Sequence, residues 1–288
     1  MIWLRKTTLA LHLLRGLITC ALLFPWLGVE SRQWHIRRWS RRLLGICGVT
    51  VEVQGLEPGQ QPPHGAMVVS NHISWLDIYV INCWQPVRFV AKSEIRDWPV
   101  IGWLCGQTGT IFIERARKRD AHRVLHAITD VMLQGDLVCV FPEGTTTDGS
   151  SVLPFHANLM QAPISGGLPV QPVGLTYLDA ATGQSTTAPA YIGDLTLLQT
   201  LDAVLRAPPI TARLAFGPVL HASSASRREL AESAREVVMH LCRGEYEGAT
   251  TLARQANRVS PLPEYGVGSP TPVDPLDVPA SSGSAAVR

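Results

Sequence analysis

A histidine and an aspartate five residues apart, His72 and Asp77, follow directly on the apolar run Met67-Val68-Val69-Ser70. A carboxylate bonded to one ring nitrogen of an imidazole fixes the tautomer and stabilises the imidazolium, leaving the other nitrogen as a general base. On an unbroken helix, five residues turn about 500°, so the two side chains would stand roughly 140° apart and could not meet. They can meet if His72 lies in a turn ahead of a helix and Asp77 in its early turns. This is the orienting half of a triad with no protein nucleophile beside it, so the substrate has to supply the nucleophile. The plain alternative is a helix cap and a surface acid.

Two further clusters could serve such a reaction. Phe141-Pro142-Glu143-Gly144-Thr145-Thr146-Thr147-Asp148-Gly149 again follows an apolar run, and offers an acceptor, a flexible backbone and hydroxyl donors. An ordinary turn has the same composition. Gly109-Thr110-Ile111-Phe112-Ile113-Glu114-Arg115 ends in an arginine, with Arg117, Lys118 and Arg119 beyond it. An arginine at a strand end suits a phosphate fork, although a solvated charge run reads the same way. His72, Asp77 and Glu143 could alternatively ligate a metal in a hydrolase, and a membrane scaffold without catalysis also fits. The chain has no GxSxG elbow, GxGxxG, Walker loop, HExxH or paired CxxC, which disfavours elbow hydrolases, the usual nucleotide enzymes and common zinc sites.

These clusters need a frame. Short runs at Thr50–Val53, Met67–Ser70, Arg88–Ala91, Thr110–Glu114, Leu137–Phe141, Val170–Tyr177 and Thr211–Phe216, most of them continuous and apolar, read as strands of a sheet covered on both faces. Helical periodicity runs over 120–133, with Asp120 as N-cap and Gly135 as stop, and over 227–242 behind a Ser226/Glu229 capping box. The alternation predicts an α/β fold, a mixed central sheet flanked by helices. The polar clusters then fall at the carboxyl ends of strands, where open α/β sheets carry their sites. Residues 48–250 form this domain.

Residues 1–47 differ. Arg15 interrupts the apolar stretch 7–28, and the remainder from Gly16 to Gly28 is shorter than the ~20 residues of a span. Trp34, Trp39 and four arginines (Arg37, Arg38, Arg41, Arg42) then alternate with apolar residues, as in an interfacial helix. The segment reads as a two-helix membrane-associated motif, with a single true span or a cytosolic hairpin as the other possibilities. Residues 251–288, rich in Pro, Gly, Ser and Ala, read as a disordered tail. Charge is nearly balanced, 25 Lys+Arg against 23 Asp+Glu, which argues against a nucleic-acid partner. The six cysteines are unpaired in sequence and read as buried thiols of a reducing compartment.

Taken in order, four blocks resemble the glycerolipid acyltransferase family typified by bacterial 1-acyl-sn-glycerol-3-phosphate acyltransferase: Asn71 to Asp77 (NHISWLD), Gly109 to Arg115 (GTIFIER), Phe141 to Thr145 (FPEGT) and Leu168 to Val173 (LPVQPV). The resemblance covers about residues 50–220. It implies His72 as general base and Asp77 as its orienter. Arg115 would bind the acceptor's phosphate, and Glu143, Gly144 and Thr145 would contact the acceptor. Asn71, Gly109, Phe141, Pro142 and Pro169 complete the motifs. It further implies transfer of an acyl group from acyl-CoA or acyl carrier protein to the free hydroxyl of a lysolipid, 1-acyl-sn-glycerol-3-phosphate giving phosphatidic acid. No metal or cofactor is expected, and the place is the cytoplasmic face of the bacterial inner membrane. Thr146 stands where many members carry an arginine. The resulting EGTT is similar to bacterial lyso-ornithine lipid acyltransferases, the alternative acceptor class. Backbone N–H groups of the His72 turn are the expected oxyanion donors.

Overall fold

A computed structural model describes residues 2–57, 60–113, 118–222 and 226–259, without the side chains of 118–122 and 258–259. Two helices, α1 (Ile2–Leu22) and α2 (Val29–Cys47), joined by a 3₁₀ turn at Phe24–Trp26, lead into β1 (Val49–Gln54) and β2 (Met67–Ser70). Then come α3 (Asp77–Trp84), β3 (Arg88–Lys92), α4 (Ile101–Gln107), β4 (Ile111–Ile113), α5 (Lys118–Leu133) and β5 (Val138–Val140). The remainder is α6 (Gln161–Gly166), β6 (Pro169–Asp179), α7 (Leu197–Arg206), β7 (Ile210–Phe216), β8 (Leu220–His221), α8 (Arg227–Cys242) and α9 (Tyr246–Val259).

The strands form one mixed sheet in the order β1-β7-β6-β2-β5-β3-β4, with β8 also on β6. β2 lies between β6 and β5 and runs parallel to both, while β6 meets β7 and β8 antiparallel. The pleat sends successive side chains to opposite faces. Val68 and Cys139 pack into a core shared with α2, α3 and α7, whereas Met67, Val69, Val138 and Val140 pack against α5, α6, α8 and α9. Both faces being covered explains why these strands are apolar without interruption.

All seven expected strands are present, and the capping box forms on both sides, Ser226 Oγ accepting from Glu229 N and Glu229 from Ser226 N. Two expectations are corrected. Asp120 is not an N-cap, because α5 already begins at Lys118. The boundary at 251 falls inside α9, which continues to Val259 because Ala249 and Ala253 are buried against the α8 side of the core. The rest of the tail, 260–288, is outside the described residues.

α1 is unbroken at Arg15 and spans about 32 Å at 1.5 Å per residue. With its following turn it is the one described helix long and apolar enough to cross a membrane. Trp3, Leu4, Leu11, Leu14, Ile18 and Leu22 stand exposed on it. Its other face is fastened to α2: the His12 ring stacks on Trp39 at 4.8 Å, Trp39 Nε1 donates to the His12 carbonyl, and His12 Nε2 donates to that of Trp39. Farther along α2, Arg41 donates to the Cys83 carbonyl in the last turn of α3 and Arg37 to the Gln85 side chain just beyond it, so the N-terminal pair grips α3.

The close approach of α8 to the sheet depends on Gly174, where an added Cβ would lie 2.7 Å from Leu241 Cβ and 3.0 Å from the Cys242 amide nitrogen. Gly174→Ala should therefore push α8 off β6 and lower unfolding stability by about 1–3 kcal/mol, read as a fall in the denaturant midpoint at unchanged slope. An unchanged midpoint would mean that the helix can shift without loss.

Candidate active site

β2 ends at Ser70, and the chain turns through Asn71–Leu76 before α3 begins at Asp77. Asn71 makes this turn reproducible. Its amide clips onto β6, with Nδ2 donating to the Leu175 carbonyl at 2.9 Å and Oδ1 accepting from the Leu175 N–H at 2.8 Å. The buried side chain thus substitutes for a residue of the ladder after β2 has turned away. His72 consequently lies ahead of the helix and Asp77 in its first turn, the arrangement that the spacing required.

The two side chains meet, His72 Nδ1 standing 2.7 Å from Asp77 Oδ2. The same oxygen accepts the N–H groups of Ile73 at 2.7 Å and Ser74 at 3.0 Å, and Oδ1 accepts the phenol of Tyr177 at 2.7 Å. Asp77 is wholly buried, while the His72 side chain retains 22% exposure and Nε2 has no partner among the described residues. With Nδ1–H committed to the carboxylate, Nε2 carries the lone pair and faces the accessible side. Phe141 stacks on the imidazole, centroids 4.1 Å apart and 10° from coplanar, which fixes the plane of the ring.

Glu143 is also buried, and both its oxygens are engaged: Oε1 accepts from the His72 N–H at 2.7 Å and Oε2 from the Leu153 N–H at 2.8 Å. Burial pushes its carboxyl above the ordinary range, opposed by these two donors. Gly144 closes the turn by donating to the Phe141 carbonyl at φ +72°, a conformation that costs glycine little. Pro142 is buried and its carbonyl accepts from His156. Thr145 is exposed beside this turn. Thr147 N donates to the His72 carbonyl, Tyr191 N to that of Ile73, and Thr146 Oγ to that of Tyr191, so three segments are sewn together around the histidine.

Not every expected residue arrives here. Pro169 begins β6 one register step before the Met67–Val170 pair, at the end of the strands opposite His72. Gly109 sits in a left-handed turn before β4 and packs against Arg88. Arg115 is outside the described residues. The expected oxyanion donors are a correction: the N–H groups of His72, Ile73 and Ser74 all serve the buried carboxylates. Tyr177 is not marked by any motif, since a tyrosine in an apolar strand reads as core, and the neighbouring Thr176 offers a hydroxyl as well. No three His, Cys, Asp or Glu side chains among the described residues are placed to hold a metal, and Asp77 and Glu143 direct their oxygens to hydrogen bonds instead.

A histidine paired with a buried aspartate, its second ring nitrogen open, at the carboxyl end of a central strand in a mixed sheet covered on both faces, suits an α/β enzyme. Residues 50–176 match the family model described as Acyltransferase. The chain is 35% identical to the 1-acyl-sn-glycerol-3-phosphate acyltransferase of Neisseria meningitidis serogroup B over 73% of its own length and 82% of the relative's. It is 34% identical to the lyso-ornithine lipid O-acyltransferase of Pseudomonas aeruginosa, over 72% and 78%. The crystal structure of the 1-acyl-sn-glycerophosphate acyltransferase of Thermotoga maritima shares the fold, with a TM-score of 0.60 at 20% identity over 86% of this chain and 97% of that one. The chain belongs to the acyltransferase family.

The doubly committed Glu143 makes a separable prediction. In Glu143→Gln the amide nitrogen must face one of the two buried N–H groups, which costs about 1–3 kcal/mol. Unfolding measurements should show that loss, and kcat should fall with the His72 backbone displaced, while the acceptor KM changes little. A rise confined to the acceptor KM would instead make Glu143 a substrate ligand.

Proposed function

We propose that the protein transfers a fatty acyl group from a thioester donor, acyl-CoA or acyl carrier protein, to the free hydroxyl of a lysolipid. The observation that carries this reading is the His72–Asp77 pair with Nε2 open and, among the described residues, no nucleophilic side chain bonded to it. Nε2 takes the hydroxyl proton as the substrate oxygen attacks the thioester carbonyl. The tetrahedral intermediate then collapses with breakage of the C–S bond, and the imidazolium returns its proton to the departing thiolate. Asp77 balances the imidazolium charge in between. The backbone N–H groups of Thr145 and Thr146, which meet no acceptor among the described residues, are available to the oxyanion. Glu143 positions His72 in this scheme and does not bind the acceptor. The reaction needs no metal or other cofactor.

The acceptor we favour is 1-acyl-sn-glycerol-3-phosphate, with Arg115 on its phosphate, supported by the names of the Neisseria relatives. Thr146 favours a second reading, a lyso-ornithine lipid, because its hydroxyl is tied to the Tyr191 carbonyl where an arginine would bring charge. The exposed apolar side of α1 and the arginines of α2 suit an anionic membrane surface, which we place at the cytoplasmic face of the bacterial inner membrane.

Three outcomes test this. His72→Ala should lower turnover by ~10²–10⁴ with folding intact. Labelled donor offered alone should leave no acyl group on the denatured protein; a stoichiometric adduct would replace direct transfer by a two-step scheme. For the acceptor, kcat/KM is compared for the two lysolipids. Arg115→Ala should lose about 2–5 kcal/mol of transition-state binding with the phosphate acceptor and little with lyso-ornithine lipid. Wild-type preference for lyso-ornithine lipid, with equal effects of Arg115→Ala on both, would decide for the second reading.

A further inference from the structure

Asp77 has two tasks, to hold the imidazole and to balance its positive charge. Its Oδ2 is saturated by three N–H donors from the turn that it closes. Oδ1 depends on one group, the O–H of Tyr177, one hundred residues away on β6. Asp77 is wholly buried, and Tyr177 is 2% exposed. Water therefore has little access to either, and a phenol buried among apolar side chains needs a partner of its own. The strand that carries Tyr177 is also the strand that Asn71 clips onto, two residues earlier at Leu175. β6 thus fixes the catalytic turn at two points, the backbone through Asn71 and the carboxylate through Tyr177.

We propose that Tyr177 is a positioning residue of the acyl transfer, which acts through Asp77 to fix the orientation and the basicity of His72. The inference rests on His72 being the general base. Burial and the adjacent Asp77 carboxylate hold the phenol's proton far above its ordinary range, so it donates at every working pH. A donor on Oδ1 spreads the carboxylate charge. Without it, the carboxylate holds the Nδ1–H more tightly, and the imidazole becomes harder to deprotonate. The other titratable groups facing this pair are Glu143 from the turn after β5, Cys139 from β5 and Cys47 from the end of α2. Burial pushes the Cys47 thiol up to about 12 and that of Cys139 higher still, so neither loses its proton near neutrality. Neither thiol therefore contributes to the acid limb of the activity profile.

The test is the pH profile of kcat/KM for the full-length protein in lipid vesicles. Tyr177→Phe should lower kcat by roughly ten-fold or more, leave the acceptor KM within about two-fold, and move the acid limb to higher pH. Incorporating 3,5-difluorotyrosine at position 177 keeps the shape and strengthens the donor, so it should move the limb the other way even if the Tyr177→Phe protein folds poorly. In the Asp77→Asn background, Tyr177→Phe should cost little further kcat, because the two act as a unit. A limb that stays in place in both Tyr177 variants, or a full additional loss in the double variant, would overturn the proposal. His72→Ala measured alongside separates the failures. An active His72→Ala protein removes the general-base reading, whereas an inactive one with unmoved Tyr177 profiles removes only the role of Tyr177.

Discussion

A charge taken fully out of water must be surrounded by donors, and the site is organised around one such charge. Asp77 has no exposure, and an unpaired carboxylate at that depth would cost several kcal/mol. Its four donors come from the histidine, from two amides of the turn and from a distant strand. Satisfying the carboxylate therefore means folding the turn, seating the imidazole and registering β2 against β6. The local backbone and the catalytic geometry are solved by the same set of bonds.

Glu143 repeats this logic from the other side. Its carboxylate joins the His72 amide to the Leu153 amide, so the β5 turn cannot form without holding the β2 turn. The N–H groups nearest the histidine are consumed in the process, which on the proposed function leaves the N–H groups of Thr145 and Thr146 for the oxyanion. A sheet in which β2 and β5 are parallel neighbours brings these two turns side by side at their carboxyl ends. Such a topology is a prerequisite for a site assembled from residues seventy positions apart.

What the sequence makes legible follows from range. The strands and the capping box at Ser226 show because their signals are local, a run of apolar residues or a three-residue spacing. His72 and Asp77 are legible as a pair because five residues allow one simple geometry, a turn followed by a helix. The clip from Asn71 to Leu175 and the bond from Tyr177 to Asp77 cross about a hundred residues and leave no spacing to read. Glu143 shows as a motif residue while its role does not, since a carboxylate that binds substrate and one that binds two amides have the same letter. The end of the domain is blurred for a related reason. α9 is anchored by small residues, Ala249 and Ala253, and by Asn257 reaching the backbone of β8, which composition alone does not separate from a loose tail.

The N-terminal helices extend the same argument to the scale of the whole molecule. α1 is clasped to α2 by the stacked and doubly hydrogen-bonded His12–Trp39 pair. α2 in turn holds the end of α3 through Arg41 and Arg37, and α3 begins with Asp77. Each link is side chain to backbone or side chain to side chain between packed helices, with no flexible linker in the path. The apolar face of α1 is thus connected through packed helices to the start of α3, beside His72. An acceptor whose hydroxyl lies at a set depth below a bilayer surface can only meet a base held at a matching height. On the proposed function, the grip of α2 on α3 sets that height.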